Sequence, residues 1–339
     1  MNSPYGRFFN LSRYLSESGH SVHLVLISYR KGETEQKIIG QLGLTSISAN
    51  PNPLTAFIKI NSILKTSRPD WVFGFSDTYY GILAEYFASK YQCKSLVDAY
   101  DNYEAYLPLL KPVHWLWRRS LSRANLVTCA GKSLQDLLRR YRKTMPTHIL
   151  QMSADQDVFF PQAKAECRKL MHLPMDVKLI GYHGSISKSR DIDLFFSLAK
   201  KISAEKPDIR FVISGRKDKE ISVPEAIIDK GYLPDSQVPL LLNSLDLLVV
   251  TNRESKFGKY SYPVKLYEAM ACNIPVIASR TESTEWILRD YPQFLVPAGD
   301  EKKMELKIYQ VLENHDIDYG DSPSWKEITG DLDKLIGEN

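Results

Sequence analysis

The chain has 339 residues, 43% hydrophobic and 25% charged, a length suited to two ordinary domains and the balance of a globular protein. That composition excludes a disordered, collagen-like or disulfide-stapled chain, and the longest apolar run, Val238 to Val250, is broken by Asn243, Ser244 and Asp246, so a spanning helix is excluded too. The net charge of +4 is uneven: residues 1–165 carry 20 Lys and Arg against 12 Asp and Glu, the remainder 24 against 28.

In chain order, Pro4-Tyr5-Gly6-Arg7 reads as a glycine turn into a helix, with nothing strand-like before it. A doubly wound domain normally places a central strand ahead of its first glycine turn. Either the chain start is misassigned or this domain lacks its innermost strand. The helix closes at Gly19, and Val22–Ile27 reads as a buried strand. Further strands are expected at Trp71–Phe75, Ser95–Asp98, Leu126–Cys129 and His148–Gln151, with a helix near Gly81–Tyr91. The second half repeats the alternation, with strands at Lys178–Tyr182, Ile209–Ser214, Ile227–Lys230, Leu247–Thr251, Pro275–Ala278 and Phe294–Val296. Such Val/Ile/Leu runs separated by helices predict α/β units with parallel sheets, covered on both faces. The expected division is 1–163, 164–320 and a terminal helix in 321–339, with the join near Pro161–Lys169 and a cleft between the two facing sheets.

The basic excess concentrates in Arg118-Arg119, Arg123 and Arg139-Arg140-Tyr141-Arg142-Lys143, beside Trp115 and Trp117. Such a cluster suits an anionic membrane surface or a phosphate-bearing acceptor, or it is a solvated helix face. No nucleic-acid-binding motif accompanies it. Cys93, Cys129, Cys167 and Cys272 lack metal or disulfide spacing, and no basic segment followed by an apolar core opens the chain, so a cytoplasmic location with reduced thiols is expected. No His/Asp/Glu cluster has metal-ligand spacing, and neither Gly-x-x-x-x-Gly-Lys nor Gly-x-Gly-x-x-Gly is present.

The most informative segment runs from Ser261 through Pro263, Lys265, Leu266 and Glu268 to Met270-Ala271-Cys272-Asn273-Ile274-Pro275-Val276-Ile277. Pro263 fits the first turn of a helix, whose free N–H groups can hold a diphosphate, with Lys265 in the same turn. Glu268, one turn on, is either a carboxylate for a ribose diol or a surface residue; spacing leaves both open.

This segment resembles the donor-binding signature of the retaining glycosyltransferases of family 4 (glycosyl transferases group 1), which have the GT-B fold of two facing Rossmann-like domains. The resemblance extends over nearly the whole chain. Gly6-Arg7-Phe8-Phe9 through Gly19-His20-Ser21-Val22 is similar to the family's first loop, helix and second strand. Met152-Ser153-Ala154-Asp155 with Phe159 and Pro161 resembles its hinge approach. Gly184 to Arg190 aligns with its Gly-Arg-x-x-x-x-Lys run, while Ser214-Gly215-Arg216 and Gly231-Tyr232-Leu233-Pro234 match two donor-side loops. Trp325 and the helix after it resemble the terminal helix that crosses back to the first domain.

The resemblance implies transfer of a sugar from a nucleoside-diphosphate donor to a hydroxyl of a glycan or lipid-linked saccharide, with no metal and no cofactor beyond the donor substrate. Glu268 would bind the ribose, Arg190 and Lys265 the diphosphate, Gly184, Gly215, Arg216 and Leu266 the nucleotide, and Tyr232 and Leu233 the base. Gly6, Arg7 and Tyr100 would form the acceptor or phosphate loop. Asp98, Asp101 and Glu254 are the candidate catalytic carboxylates, the first two also matching helix-capping types. His183 and His20 read as structural. The sequence differs from the family pattern at Tyr260, where a second glutamate is common, and at Ser185, where an arginine is. Those differences, with the missing first strand, also fit a non-catalytic relative that binds a glycan or partner; a nucleotide-sugar epimerase of the same fold is a further alternative.

Overall fold

The computed structural model describes residues 6–75, 78–105, 108–255, 258–313, 317–320 and 323–338. The chain divides into two compact units, Met1–Met152 with Pro323–Asn339, and Ser153–Ser322.

The first unit opens with α1 (Arg7–Glu17), which ends as the glycine pattern predicts, with Gly19 at φ +101°. β1 (His23–Ser28) follows, then β2 (Glu35–Ile39) and β3 (Leu42–Ser48). The β2–β3 hairpin is absent from the sequence reading. Glu35-Gln36-Lys37 carries no apolar run, and β2 lies exposed, so neither hydrophobicity nor alternation marks it. A two-residue Gly40-Gln41 turn with Gly40 at φ +60° closes it, pairing Ile39 with Leu42.

Next come α2 (Pro53–Ser67), β4 (Trp71–Gly74), α3 (Thr78–Tyr91), β5 (Lys94–Ala99), α4 (Lys111–Arg123), β6 (Leu126–Cys129), α5 (Lys132–Arg139) and β7 (His148–Ile149). The strands form two sheets, ordered β1-β3-β2 and β4-β5-β6-β7. The second is parallel throughout, and β1 also runs parallel to β3. β5 and β6 are buried along their lengths except at Lys94, whereas the apolar side chains of β1 and β4 are mostly only half-covered.

Two members of the basic cluster are not on the surface. Trp117 is packed inside, edge-on to Tyr103. Arg142 is buried and donates to the carbonyls of Leu121, Ala124, Asn125 and Pro146, joining the end of α4 to the approach to β7. Arg118 and Arg123 are paired with Glu104 and Glu85. The cluster therefore presents fewer cations outward than its sequence suggests: a guanidinium has five donors in a fixed fork, and that of Arg142 is spent on carbonyls inside the protein.

The second unit contains α6 (Lys164–Leu170), β8 (Lys178–His183), α7 (Ile192–Glu205), β9 (Ile209–Ser214), β10 (Ile227–Asp229), α8 (Val238–Asn243), β11 (Leu247–Val250), α9 (Val264–Ala271), β12 (Val276–Arg280), α10 (Glu282–Ile287), β13 (Leu295–Pro297) and α11 (Glu301–Glu313). Six strands make one parallel sheet, ordered β10-β9-β8-β11-β12-β13. Last, α12 (Trp325–Glu338) returns to the first unit, where His20 on the turn after α1 meets Asp333 at 2.7 Å.

The polar residues that interrupt the run from Val238 to Val250 hold α6 to this sheet. Asp246 accepts from Arg168 Nη2 at 2.6 Å, Lys164 Nζ at 2.7 Å and the Leu179 N–H at 2.7 Å. Arg168 also donates to the carbonyls of Ser244, Met175 and Val177. Burial alone would raise the Asp246 carboxyl, but its bonds from Lys164 and Leu179 and the Arg168 charge lower it overall. Removing one side of a buried pair costs about 3–5 kcal/mol, so Arg168→Ala should lower the urea midpoint strongly at unchanged slope. Because the Asp246 pKa is lower folded than unfolded, its contribution is complete above the ordinary value of about 3.9 and lost as pH falls through the folded value. Asp246→Asn should therefore flatten the loss of stability below pH 5, read from urea titrations at stepped pH.

Candidate functional site

Parallel sheets gather their loops at the carboxyl ends of the strands, where ligands bind. In the second unit that edge brings together the loops after β8, β9, β10 and β11 and the start of α9. β8 and β9 end in register, His183 opposite Ser214, and the Gly184 N–H continues the ladder to the Ser214 carbonyl at 2.9 Å. The Gly215 N–H and the Ser214 hydroxyl both donate to the Gly231 carbonyl at 2.9 Å. Gly184 and Gly215 have φ of +117° and +145°, which L side chains rarely adopt. A Cβ on Gly215 would collide with the Gly184 carbonyl, so this crossing of loops requires glycine.

Lys265 stands in the first turn of α9, where backbone N–H groups are unsatisfied, directly after Pro263 and Val264. Its ammonium lies 4.3 Å from the centre of the buried Tyr182 ring, and a Cβ on Gly184 would sit 2.9 Å from Nζ. Burial and the nearby Arg190 charge lower this amine to about 7, while Glu268 pulls the other way. Arg190 is fixed at both ends: Nη1 donates to Ser261 Oγ at 3.0 Å, and its carbonyl accepts from Thr251 Oγ1 at 2.7 Å. Glu268 is 4% exposed, one turn along α9 from Lys265, which removes the surface-residue reading. Two cations with ordinarily repelling charges are thus held close to one helix N-terminus, an arrangement that an anionic ligand relieves.

His183 reads differently from a simple structural residue. Burial and the Lys265 charge push its imidazole down to about 4, so it is neutral at pH 7, and its buried Nδ1 has no partner among the described residues. Tyr232 is 67% exposed with Arg216 above its ring at 6.0 Å, whereas Leu233 is buried. Leu266 is also buried. Glu254 is exposed on the segment after β11, and Lys256 and Phe257, just beyond it, lie outside the described residues. Tyr182, Ser261 and Thr251 were not singled out from the sequence. Tyr182 is one apolar-run residue among many, and the hydroxyls give no spacing signal.

In the first unit, Arg7 and Asp98, named separately as phosphate-loop cation and catalytic carboxylate, are bound to each other. Arg7 Nε and Nη2 donate to the two Asp98 oxygens at 2.7 Å each, Thr128 Oγ1 donates to Oδ1 at 2.6 Å, and both charged residues are buried. Burial lowers the Arg7 pKa, but the Asp98 charge and bonds outweigh it, so the guanidinium stays charged. The pair ties the start of α1 to the end of β5. Gly6 caps α1 at φ +99°. Asp101, 6% exposed, accepts from the Asn102 N–H at 2.8 Å, and the Tyr100 N–H donates to the Tyr103 hydroxyl at 3.3 Å. Among the described residues no three His, Cys, Asp or Glu side chains are grouped to hold a metal.

Comparison with known proteins bears on both units. The family described as Glycosyltransferase Family 4 matches residues 7–151, and that described as Glycosyl transferases group 1 matches residues 177–314. A glycosyltransferase assigned to teichuronic acid biosynthesis, TuaH of Bacillus subtilis (strain 168), is 22% identical over 184 residues, covering 51% of this chain. The chain spans 45% of that relative's length. Among solved structures, sucrose-phosphate synthase from Thermosynechococcus elongatus superposes with a TM-score of 0.78 at 14% identity, covering 97% of this chain and 91% of that one. HepE of Anabaena in complex with UDP-glucose gives a TM-score of 0.73 at 10% identity, covering 99% and 98%.

The Lys265 amine should titrate near 7 in protein carrying 13C-labelled lysine, and its midpoint should rise when pyrophosphate is added, because an anion favours the charged form. A free-protein midpoint near the ordinary lysine value of about 10.4 would overturn the described geometry.

Proposed function

The chain belongs to the family 4 glycosyltransferases and has their GT-B fold, and on that footing we propose that it moves a sugar from a nucleoside-diphosphate donor to a hydroxyl of a glycan or lipid-linked acceptor, with retention at the anomeric carbon. The observation that carries the reading is the pairing of Arg190 and Lys265 at the start of α9 with the buried carboxylate of Glu268 one turn away. The two cations suit a diphosphate, and Glu268 suits the two hydroxyls of a ribose. The close crossing of Gly184 and Gly215 allows backbone approach to the donor, and Tyr232 offers a flat exposed ring for the base. Neutral His183 can donate or accept a hydrogen bond at the sugar without adding charge.

In this reading the bond from the anomeric carbon to the phosphate oxygen breaks as the acceptor oxygen bonds on the same face. The acceptor proton passes to the departing phosphate, so no pair of protein carboxylates and no metal is needed. The charge that develops on the diphosphate is balanced by Arg190 and Lys265, which favours departure. On the first unit, the buried Arg7–Asp98 pair positions the Gly6 turn, and Asp101 is the carboxylate proposed to orient the acceptor. The differences at Ser185 and Tyr260 keep a non-catalytic, donor-binding relative as the second reading, and release of sugar from a donor distinguishes the two.

A membrane contact is proposed on one helix alone. α4 exposes Trp115 and Leu116 together with Lys111 and Arg119, and Arg119 stands 5.7 Å over the Trp115 ring, with Leu109 and Leu110 exposed just before the helix. Apolar rings flanked by cations suit an anionic lipid surface. Vesicles containing phosphatidylglycerol should bind the protein at low salt and release it as salt rises. A Trp115→Ser, Leu116→Ser double variant should bind at least about tenfold more weakly by sedimentation.

For the donor site, a panel of UDP, GDP, ADP and CMP by ligand-observed NMR should show selective binding of one nucleotide. A charge-assisted hydrogen bond contributes ~1.5–3 kcal/mol, so Glu268→Gln should weaken that nucleotide at least about tenfold with the fold intact by circular dichroism. Unchanged affinity would sink the donor-site assignment, and binding without any sugar transfer would favour the second reading.

A further inference from the structure

Lys164, Lys201 and Lys217 of the second unit each stand against a carboxylate, that of Asp246, Glu305 and Asp229 in turn. Lys265 does not. Its ammonium has no hydrogen bond or ion pair to a described residue and rests 4.3 Å from the centre of the Tyr182 ring. Of the groups that face it, Tyr182 and His183 on β8 are uncharged at pH 7. The Arg190 guanidinium after β8 repels it, and Glu268 on its own helix attracts it too weakly to prevail. An amine kept out of water beside a second cation is the arrangement that makes lysine a nucleophile, because its lone pair is free. Burial and the Arg190 charge bring this amine down to about 7, so about half of it is uncharged at pH 7. Gly184 keeps one side clear, since a Cβ there would press on Nζ.

We propose that Lys265 is a covalent modification site, whose amine condenses reversibly with a small aldehyde that carries a phosphate. The two ends of such a molecule find separate partners. Arg190, fixed by its bond to Ser261, and the unsatisfied N–H groups that open α9 take the phosphate. The aldehyde meets Nζ. The Nζ lone pair attacks the carbonyl carbon, and the π electrons of the C=O bond move onto oxygen. Both amine hydrogens then leave with that oxygen as water, and a C=N bond remains. The step consumes no oxidant and no third reactant. An aldehyde without an anionic group gains nothing from Arg190, and an ordinary surface lysine is too fully protonated at neutral pH to compete. The condensation needs only the amine and the anion-binding groups, so it stands apart from the sugar-transfer reading. Its consequence rests on that reading: an imine at Lys265 takes the place of the donor's diphosphate and blocks its binding.

The test treats the full chain with pyridoxal 5′-phosphate at neutral pH, reduces the imine with borohydride and maps the labelled peptides by mass spectrometry. Label at Lys265 should exceed that at Lys188 and Lys217, exposed on neighbouring loops, at least about tenfold. Pyridoxal without the phosphate should label Lys265 at least about tenfold less. Arg190→Gln should abolish that difference between the two aldehydes, with the fold intact by circular dichroism. Inorganic pyrophosphate should protect Lys265. Label spread evenly over the lysines, or labelling of Lys265 that pyrophosphate leaves unchanged, overturns the proposal. Should the Arg190 variant not fold, the two aldehydes on the unaltered chain decide the matter, and equal labelling of Lys265 by both overturns it. Protection by pyrophosphate but by none of UDP, GDP, ADP and CMP supports the modification site and counts against the donor reading.

Discussion

A parallel sheet must be covered on both faces and paired on both sides of every interior strand, and that requirement shapes each unit of this chain. In the second unit it is met. β8 lies between β9 and β11, and its residues from Leu179 to Tyr182 are buried. Fully burying a Val, Leu or Ile side chain contributes about 1.5–3 kcal/mol, so an ordered strand of this kind is a rigid base for loops at its carboxyl end. In the first unit β5 and β6 meet the requirement, while β1 and β4 stand, among the described residues, at the edges of two separate sheets and are only half-covered.

The rigid edge explains how the second unit can hold two cations near one another. Arg190 is braced by Ser261 and Thr251, which follow another strand of the sheet, and Lys265 rests over the Tyr182 ring. Holding a lysine here lowers its pKa because the surroundings solvate the ammonium poorly and Arg190 repels it. The tension is local, and an anion placed there would relieve it. Gly215 belongs to the same design: its backbone passes too close to the Gly184 carbonyl for any side chain, while a Cβ on Gly184 would press on the Lys265 ammonium.

Most of the fold was legible because its strands are short apolar runs separated by amphipathic helices. Leu126–Cys129 and Ile209–Ser214 fall where the sequence places them, and most others differ by one or two residues at an end. β2 escaped because Glu35-Gln36-Lys37 spends its side chains on solvent and only Ile39 at its end packs against the core, whereas β3, with Leu42, Leu44 and Ile47 buried, carried a short apolar signal that was passed over. At the candidate site, Lys265 and Glu268 drew attention through their place in the first turns of a helix, and Arg190 through resemblance alone. Their supports did not. Ser261, Thr251 and Tyr182 are ordinary residue types whose roles depend on which loops the sheet edge brings together, and that is a tertiary fact.

Charge counting shows the same limit most plainly. Arg7, Arg142 and Arg168 enter the sequence tally simply as three positive charges, yet all three are buried and bonded. Arg142 serves four carbonyls, Arg168 three carbonyls and Asp246, and Arg7 the carboxylate of Asp98. Lysine could not replace them, because its compact ammonium cannot reach several acceptors in one plane. Part of the first unit's basic excess is therefore internal carpentry, and Arg118 and Arg123 are already matched to carboxylates. What remains exposed of the cluster is smaller than the tally implies: Arg119, with Lys111, Trp115 and Leu116 on α4, and Arg139, Arg140 and Lys143 at and beyond the end of α5.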